Sequence, residues 1–178
     1  MSAAHKLDQA SYDSRRGQLE TYFDRTAADT WARLTSTAKV SRIRETVRAG
    51  RDEMRSTLLS WLPEDLTGKR LLDAGCGTGA LAVEAARRGA EVIAIDIAGN
   101  LVNVARERAP TDLKGSIEFH VGDMLNPALG EFDYVVGMDS LIHYQTLDAV
   151  RVIGGLAQRT RHGLLFTYAP SNAALVAF

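Results

Sequence analysis

The segment Leu71–Gly79, with the sequence LLDAGCGTG, constrains the fold of this chain more than any other. Two apolar residues end a buried strand, Asp73 follows, and three glycines then lead into a helix. Glycine is needed at Gly75, Gly77 and Gly79 because a Cβ would block both the tight turn and the close approach of a ligand to the backbone. The N–H groups at the start of the helix face the same ligand. The segment therefore predicts a strand–turn–helix unit that binds a cofactor.

Two cofactors fit this loop. The residues Gly77–Ala82 match the dinucleotide pattern G-x-G-x-x-G/A, and Asp96 lies downstream at about the distance expected for a ribose-binding acid. However, Asp73 would crowd a pyrophosphate, whereas it suits the cationic amino group of S-adenosylmethionine (SAM). After a further strand, Asp123 can accept from an adenine amino group while Met124 packs on the ring. These residues favour the SAM loop of a class I methyltransferase, and a nicotinamide cofactor stays the alternative.

Size and composition limit the remaining function classes. A chain of 178 residues with 46% hydrophobic and 24% charged residues is one soluble-type domain with a real core. The net charge of −1 argues against general nucleic-acid binding, which needs a basic surface. A single cysteine, Cys76, fits a reducing cytoplasm, and its place in the glycine loop indicates a small residue rather than a catalytic thiol. No signal peptide is visible, and no apolar run approaches the ~20 residues that span a bilayer.

The chain divides into three parts. Residues 1–17 are polar and predicted to be flexible, and residues 18–65 have the helical periodicity of an N-terminal cap. Residues 66–178 alternate strands and helices, which predicts an α/β, Rossmann-like core with a parallel sheet covered on both faces. The apolar run at the end of the chain resembles the start of another helix, so we expect further C-terminal strands to be missing.

The predicted elements place several acids at one edge of the sheet. Asp73, Asp96, Asp123 and Asp139 each fall at the carboxyl end of a strand, where ligands of such sheets bind. These positions predict a single site. The predicted strands are 70–73, 91–96, 117–121, 132–138 and 163–168, and the predicted helices are 80–88, 98–108 and 147–159.

The segment FDYVVGMDSLIHY, which ends at Tyr144, is the second informative stretch. Its polar residues follow the fourth strand, where a transferred methyl group is expected. His143, with an ordinary pKa near 6.5, can donate to an acceptor, orient it or act as a base. In the N-terminal cap, Tyr22, Phe23 and Trp31 belong to an aromatic stripe that is more often core than site. Class I methyltransferases commonly use such a helix as a lid, so the Tyr22 hydroxyl is a candidate.

Together these segments resemble one family, the magnesium-protoporphyrin IX methyltransferases of chlorophyll and bacteriochlorophyll synthesis. The matching stretches are YFDRTAADTWARL, KVSRIRETVRAGRDEMRSTLLSWLP, LTGKRLLDAGCGTG, HVGDM and FDYVVGMDSLIHY. The resemblance implies methyl transfer from SAM to one propionate of Mg-protoporphyrin IX, giving the 13-monomethyl ester and S-adenosylhomocysteine. It also implies a photosynthetic enzyme of the cytoplasm or of the photosynthetic membrane surface. The magnesium chelatase porphyrin-binding subunit is then an expected partner.

The site expected from these arguments has three groups of residues. The cofactor-binding group is Asp73, Gly75, Cys76, Gly77, Gly79, Asp96 (on the ribose), Ile97 (beside the adenine), Asp123, Met124, Met138 and Asp139. The catalytic candidates are His143 and Tyr22. The substrate-binding candidates are Ser140, Tyr144 and Trp31, and no metal ligand of the protein is expected.

The chemistry favours neutral hydrogen-bond donors at the reacting carboxylate. A propionate is already ionised at pH 7, so no general base is required, and a fixed arginine on the reacting oxygen would stabilise the ground state. Arginines are instead expected at the second propionate, with Arg42, Arg44, Arg48 and Arg51 as candidates. His143 as an axial magnesium ligand is a further possibility. The alternatives to this function are an O-methyltransferase of a quinone-like phenol and a non-catalytic SAM- or tetrapyrrole-binding module.

Overall fold

The computed structural model describes residues 3–27 and 42–169, and this part of the chain forms helices around a five-stranded sheet. The helices are α1 (Ala3–Thr21), α2 (Arg42–Ser60), α3 (Ala80–Arg87), α4 (Gly99–Arg108) and α5 (Thr146–Ala157), and a π-helical turn at Tyr22–Ala27 continues α1. The strands are β1 (Arg70–Ala74), β2 (Glu91–Asp96), β3 (Ser116–Val121), β4 (Phe132–Gly137) and β5 (Thr160–Phe166). Short 3₁₀ turns lie at Pro127–Leu129 and Leu141–His143.

The order of the strands decides where a ligand can bind. The sheet is parallel throughout, with the order β3-β2-β1-β4-β5. In the middle of the sheet, Leu72 of β1 pairs with Ile93 of β2 on one side and with Val135 of β4 on the other. The strands β1 to β3 are therefore added in one direction across the sheet, whereas β4 and β5 are added on the opposite side of β1. Such a switch point leaves a crevice beyond the carboxyl ends of the strands.

Both faces of the sheet are covered, because neighbouring residues of each strand point to opposite sides. Leu71 packs into a cluster with Leu58 of α2 and Leu81 of α3, whereas Leu72 packs into a second cluster with residues of α1 and α5 such as Tyr12. The predicted α/β class with a parallel sheet is confirmed. The predicted strands and helices agree with the observed ones within a residue or two, except that β5 begins three residues earlier. Its first residues, Thr160–His162, are polar and carry no apolar signal.

The segment over residues 1–17 is predicted to be flexible, and its described part forms most of α1. The reason is tertiary packing. Tyr12 is only 1% exposed and joins the core on the α5 side of the sheet, where its ring stacks on that of Tyr144. The polar composition of the segment gives no sign of this buried side chain. No helix within residues 3–27 and 42–169 is long and apolar enough to cross a membrane.

Candidate active site

A cavity that is open to solvent lies at the carboxyl edge of the sheet, at the switch point between β1 and β4. Each strand from β1 to β4 contributes residues at its end, and α1, its π-helical turn and α2 close the other side. The lining residues are Leu19, Phe23, Arg51, Gly75, Gly77, Ile95, Asp96, Ile97, Leu101, Gly122, Met124, Met138, Asp139, Ser140, His143 and Tyr144.

The three glycines of the first loop have different structural roles, although all three have positive φ. A Cβ on Gly77 would meet nothing within 4 Å among the described residues, so this glycine leaves space in the cavity for a ligand. A Cβ on Gly75 would lie 2.3 Å from the Cβ of Ser140, so this glycine permits the loop after β4 to approach. Gly79 does not line the cavity, because it packs against Ala105 and Phe119.

Cys76 also lies outside the cavity lining. Its side chain is buried, the thiol lies 3.8 Å from the carbonyl oxygen of Gly77, and burial raises its pKa well above the ordinary value. A protonated, buried thiol is a poor nucleophile and a poor ligand. The residue therefore acts as a small core residue of the loop.

Asp96 connects the two loops that surround the cavity. One carboxylate oxygen accepts from the N–H of Gly77 at 2.8 Å, and the other accepts from the N–H of Ala98 at 2.9 Å. Burial raises the pKa of Asp96, while these backbone donors oppose that shift. A carboxylate offers about four lone-pair positions, so both oxygens can still accept from the hydroxyls of a ribose. Ile97 lies beside it in the lining.

Asp73 is 1% exposed, and its Oδ2 finds no hydrogen-bond partner among the described residues. Burial, and after it the charge of Asp96, raises the pKa of Asp73 to about 7. Asp73 is not one of the residues that line the cavity, although Gly75, two residues later, is. An orphaned buried oxygen is costly, so a cationic group placed near it would both satisfy it and lower its pKa.

Asp123 holds helix α1 rather than lining the cavity. Its Oδ1 accepts from the hydroxyl of Tyr12 at 2.6 Å and from the N–H of Leu125 at 2.8 Å, while Oδ2 accepts from Arg16 at 2.6 Å. These bonds take three of about four acceptor positions of the carboxylate, so the expected contact with an adenine amino group stays a prediction. The neighbouring Met124 does line the cavity and is nearly buried.

The loop after β4 carries a strained acid in an ion pair. Asp139 has φ of 54°, which is unique among the non-glycine residues that the structure describes. Its N–H donates to the hydroxyl of Thr167 at 2.8 Å, and its carboxylate binds the guanidinium of Arg51. Beside it, the buried Oγ of Ser140 lines the cavity and finds no partner within the described ranges. We expect an atom of a bound ligand to form a hydrogen bond with this Oγ.

His143 enters the cavity from the 3₁₀ turn that follows. Its ring meets that of Phe23 edge to face at 5.0 Å, and its backbone oxygen accepts from Nε of Arg15 at 2.8 Å. Burial lowers the pKa of His143, so the imidazole is neutral at pH 7 and carries one donor and one acceptor. The adjacent Tyr144 also lines the cavity, and burial raises its pKa to about 12.

The structure places Tyr22 outside the lining of the cavity. Tyr22 is 52% exposed and does not line the cavity, and the next residue, Phe23, does. The π-helical turn presents Phe23 to the cavity, and the catalytic role of Tyr22 stays a prediction. Trp31 lies outside the described residues, as do the side chains of Arg42 and Arg44.

Comparisons with known proteins extend this geometry. The profile of one family, described as a methyltransferase domain, matches residues 71–163. A magnesium-protoporphyrin O-methyltransferase of Rhodobacter capsulatus is 55% identical over 170 residues, which are 95% of this chain and 76% of that protein. The chain belongs to the magnesium-protoporphyrin O-methyltransferase family. A Synechocystis relative with the same description is 32% identical, over 88% of this chain and 70% of that protein.

A crystal structure agrees with this family. Magnesium protoporphyrin IX methyltransferase from Synechocystis PCC 6803 with bound SAM superposes with a TM-score of 0.82 at 29% identity, covering 88% of this chain and 77% of that one. The predicted family, the SAM cofactor and the methyltransferase class are thereby confirmed. The nicotinamide alternative is excluded.

The residues present fit SAM on observations of this structure alone. The open side of Gly77 leaves space against the backbone, Asp96 keeps acceptor positions for a ribose, and the buried Oδ2 of Asp73 has no partner among the described residues. Met124 and Met138 supply apolar, polarisable surface in the same cavity. These five residues are therefore the ones that would hold the cofactor.

Sequence reasoning missed several residues around the cavity, namely Tyr12, Arg15, Arg16, Leu19, Phe23, Leu101 and Gly122. Most of them lie on α1, in or next to the segment that the sequence predicts to be flexible. One signal was available: Leu19 and Phe23 stand four residues apart and form an apolar pair on one helical face. Nothing local indicated that Tyr12 and Arg16 meet Asp123.

Proposed function

We propose that this chain transfers the methyl group of SAM to one propionate carboxylate of Mg-protoporphyrin IX and produces the 13-monomethyl ester. The observation that carries the proposal is the 55% identity, over 95% of this chain, to the Rhodobacter capsulatus magnesium-protoporphyrin O-methyltransferase. The cavity supports it, because it places a neutral imidazole among apolar side chains at the carboxyl edge of the sheet.

Bound SAM supplies an electrophilic methyl group on a sulfonium. The reacting carboxylate is ionised at pH 7, since such groups titrate near 4, and it needs no base. The residues of the chain have to orient it, exclude water and avoid stabilising its charge before the reaction. We propose that neutral His143 donates a hydrogen bond that orients this carboxylate, with the Oγ of Ser140 as a second neutral donor. Leu19, Phe23 and Met138 keep that part of the cavity dry.

The contacts that hold the side chain and backbone of His143 in place suit this role. The ring of Phe23 packs against the imidazole, and Arg15 fixes the backbone of the same residue through its carbonyl oxygen. Because burial lowers its pKa, the imidazole stays neutral over the physiological range. A neutral donor polarises the carboxylate less than a guanidinium would, so the nucleophile keeps its reactivity. Tyr144, at the edge of the same cavity, is proposed to contact the substrate.

The test is turnover of Mg-protoporphyrin IX with methyl-labelled SAM, followed by separation of the esters by chromatography. A labelled monomethyl ester is the expected product. Tight binding of S-adenosylhomocysteine without any ester would remove the porphyrin as substrate. A phenol would then be the next acceptor to try, with His143 as a true base whose rate falls as the pH drops through its pKa.

Delivery of the substrate belongs to the same proposal. Mg-protoporphyrin IX is poorly soluble, so we propose that the porphyrin-binding subunit of magnesium chelatase hands it over, at or near a photosynthetic membrane surface. Exposed apolar side chains such as Leu147 and Val150 offer contact area for such encounters. Stimulation of turnover by the purified subunit, under conditions where the free porphyrin aggregates, is the measurement that tests this handover.

A further inference from the structure

Among the described residues, the cavity lining contains one lysine or arginine side chain, and this side chain has no role in the methyl transfer proposed above. Arg51 of α2 is the single lysine or arginine among the described lining residues, and the same lining contains two carboxylates, those of Asp96 and Asp139. The guanidinium binds Asp139, and the side chains of this pair are 23% and 16% exposed. Desolvating a guanidinium costs free energy, so its presence in a substrate cavity suggests that it binds a charged group of the substrate.

The substrate class supplies such a reason. Mg-protoporphyrin IX carries two propionates on neighbouring pyrroles at one edge of the macrocycle, and only one becomes an ester. The reacting carboxylate loses its charge as it neutralises the sulfonium, whereas the other stays ionised in substrate and product. Burying that second carboxylate near Asp96 and Asp139 without a cation would be strongly unfavourable.

We propose that Arg51 is the binding site for the propionate that is not methylated, and that this propionate replaces Asp139 on the guanidinium. The inference rests on the proposed function and deepens it, since it assigns the second carboxylate. In the absence of substrate, Asp139 neutralises Arg51. When substrate binds, one carboxylate exchanges for another on the same planar fork, which recognises carboxylates in a bidentate manner.

The geometry of Asp139 suits a temporary partner. Its backbone has φ of 54°, a conformation that costs free energy in a non-glycine residue, so the Asp139 loop is held by its contacts rather than by its own preference. Among those contacts are the ion pair with Arg51 and the bond from its N–H to the hydroxyl of Thr167. After the exchange, the Asp139 carboxylate remains in the same cavity as the cationic cofactor.

The assignment also explains single esterification. A carboxylate bound to a guanidinium is stabilised in its ground state, so it reacts slowly with a sulfonium. The carboxylate near His143 meets only neutral donors and reacts. Arg51 therefore acts as a positioning and specificity-determining residue rather than as a catalytic one.

The experiment compares the dissociation constants of three ligands in the presence of saturating S-adenosylhomocysteine: Mg-protoporphyrin IX, its monomethyl ester and its dimethyl ester. Porphyrin fluorescence in one mild detergent reports binding. The wild-type protein is expected to bind the monomethyl ester about tenfold or more tightly than the dimethyl ester, since only the former keeps a carboxylate for Arg51. Arg51→Gln is expected to bind the two esters equally.

Arg55→Gln is the matched control. Arg55 stands one turn further along α2, pairs with Asp52 at 2.7 Å and does not line the cavity. This variant is expected to keep the wild-type preference. Asp139→Asn removes the competing carboxylate and is expected to increase the preference. Arg51→Lys keeps a cation without the fork and is expected to show a reduced preference, and it carries the test if Arg51→Gln fails to fold.

Three outcomes would overturn the assignment. In the first, Arg51→Gln still prefers the monomethyl ester. In the second, the variant loses affinity for the diacid alone, which would place Arg51 at the reacting carboxylate. In the third, Asp139→Asn leaves the preference unchanged, which would exclude the exchange. Failure of the proposed function is distinguishable, because wild-type protein would then form no ester and bind none of the three porphyrins.

Discussion

The close approach of Gly75 to Ser140 in the glycine loop predicts a large loss of stability for Gly75→Ala. The new Cβ would lie 2.3 Å from the Cβ of Ser140 and 3.1 Å from its Oγ. Gly75 also has φ of 87°, where an L side chain is strained whatever space surrounds it. Two costs therefore add at one position, the backbone strain and the overlap with a side chain of the neighbouring loop.

The magnitude follows from these two costs. A positive φ costs a non-glycine residue roughly 1–2 kcal/mol. Overpacking adds about 1–3 kcal/mol, since Ser140 is itself held beside Gly137 and cannot retreat freely. The sum is about 2–5 kcal/mol in the free energy of unfolding, which for a domain of this size corresponds to a loss of roughly 5–20 °C in Tm.

Two other glycines separate the costs. Gly77→Ala carries only the strain, because a Cβ there meets nothing within 4 Å among the described residues, so its Tm should fall by about 2–8 °C. Gly50→Ala, on an exposed turn of α2, carries neither cost and should raise the Tm by about 1–4 °C. The affinity for S-adenosylhomocysteine should fall in both loop variants and not in Gly50→Ala.

The assay is thermal unfolding of the ligand-free proteins by circular dichroism, with calorimetry for the ligand. The expected order of Tm is Gly50→Ala, wild type, Gly77→Ala, Gly75→Ala. Equal Tm values for Gly75→Ala and Gly77→Ala would refute the reasoning, because the overlap with Ser140 would then cost nothing.

Three further predictions concern the acids and the catalytic candidates. Asp73→Asn should stabilise the ligand-free protein more at about pH 8 than at about pH 5. The pKa of Asp73 is raised to about 7 in the folded protein, so the folded state binds this proton more tightly than the unfolded state does. The stability that protonated Asp73 contributes is therefore present in acid and lost as the pH rises through 7. Denaturant unfolding at both values checks this, and a difference that does not grow with pH would contradict it. Asp123→Asn should cost about 1–3 kcal/mol in the free energy of unfolding, since it weakens the charged bonds from α1, and faster proteolysis within α1 should accompany the loss. In single-turnover assays His143→Gln should slow ester formation about tenfold or more, whereas Tyr22→Phe should keep the wild-type rate, and a slow Tyr22→Phe would return that hydroxyl to the site.

The sheet could be predicted from the sequence because its signals are local. Short apolar runs alternate with helical periodicity, and the boundaries follow within a residue or two except at the polar start of β5. The glycine loop was equally clear, since positive φ is a requirement of the backbone at Gly75, Gly77 and Gly79. What the loop could not tell is which glycine faces the ligand, because that depends on the elements opposite each one.

The cap was the part that sequence patterns described least well. A polar helix with one buried tyrosine resembles a flexible terminus until the surface that receives Tyr12 is known. The choice between Tyr22 and Phe23 had the same difficulty. Neighbouring residues on a helix point about 100° apart, and a π-helical turn changes the phase that an α-helical pattern assumes. The composition and the spacing of the residues do not predict that change.

The sequence by itself determined the parallel sheet, the glycine loop and the edge at which a ligand binds, because chirality, side-chain alternation and hydrophobic periodicity act between residues close along the chain. Only the tertiary structure decided the partners of the charged groups. Tyr12 meets Asp123 across 111 positions, and Arg51 meets Asp139 across 88. Such pairs depend on how helices settle against the sheet, and that position is set by the packing of the whole core rather than by any one segment.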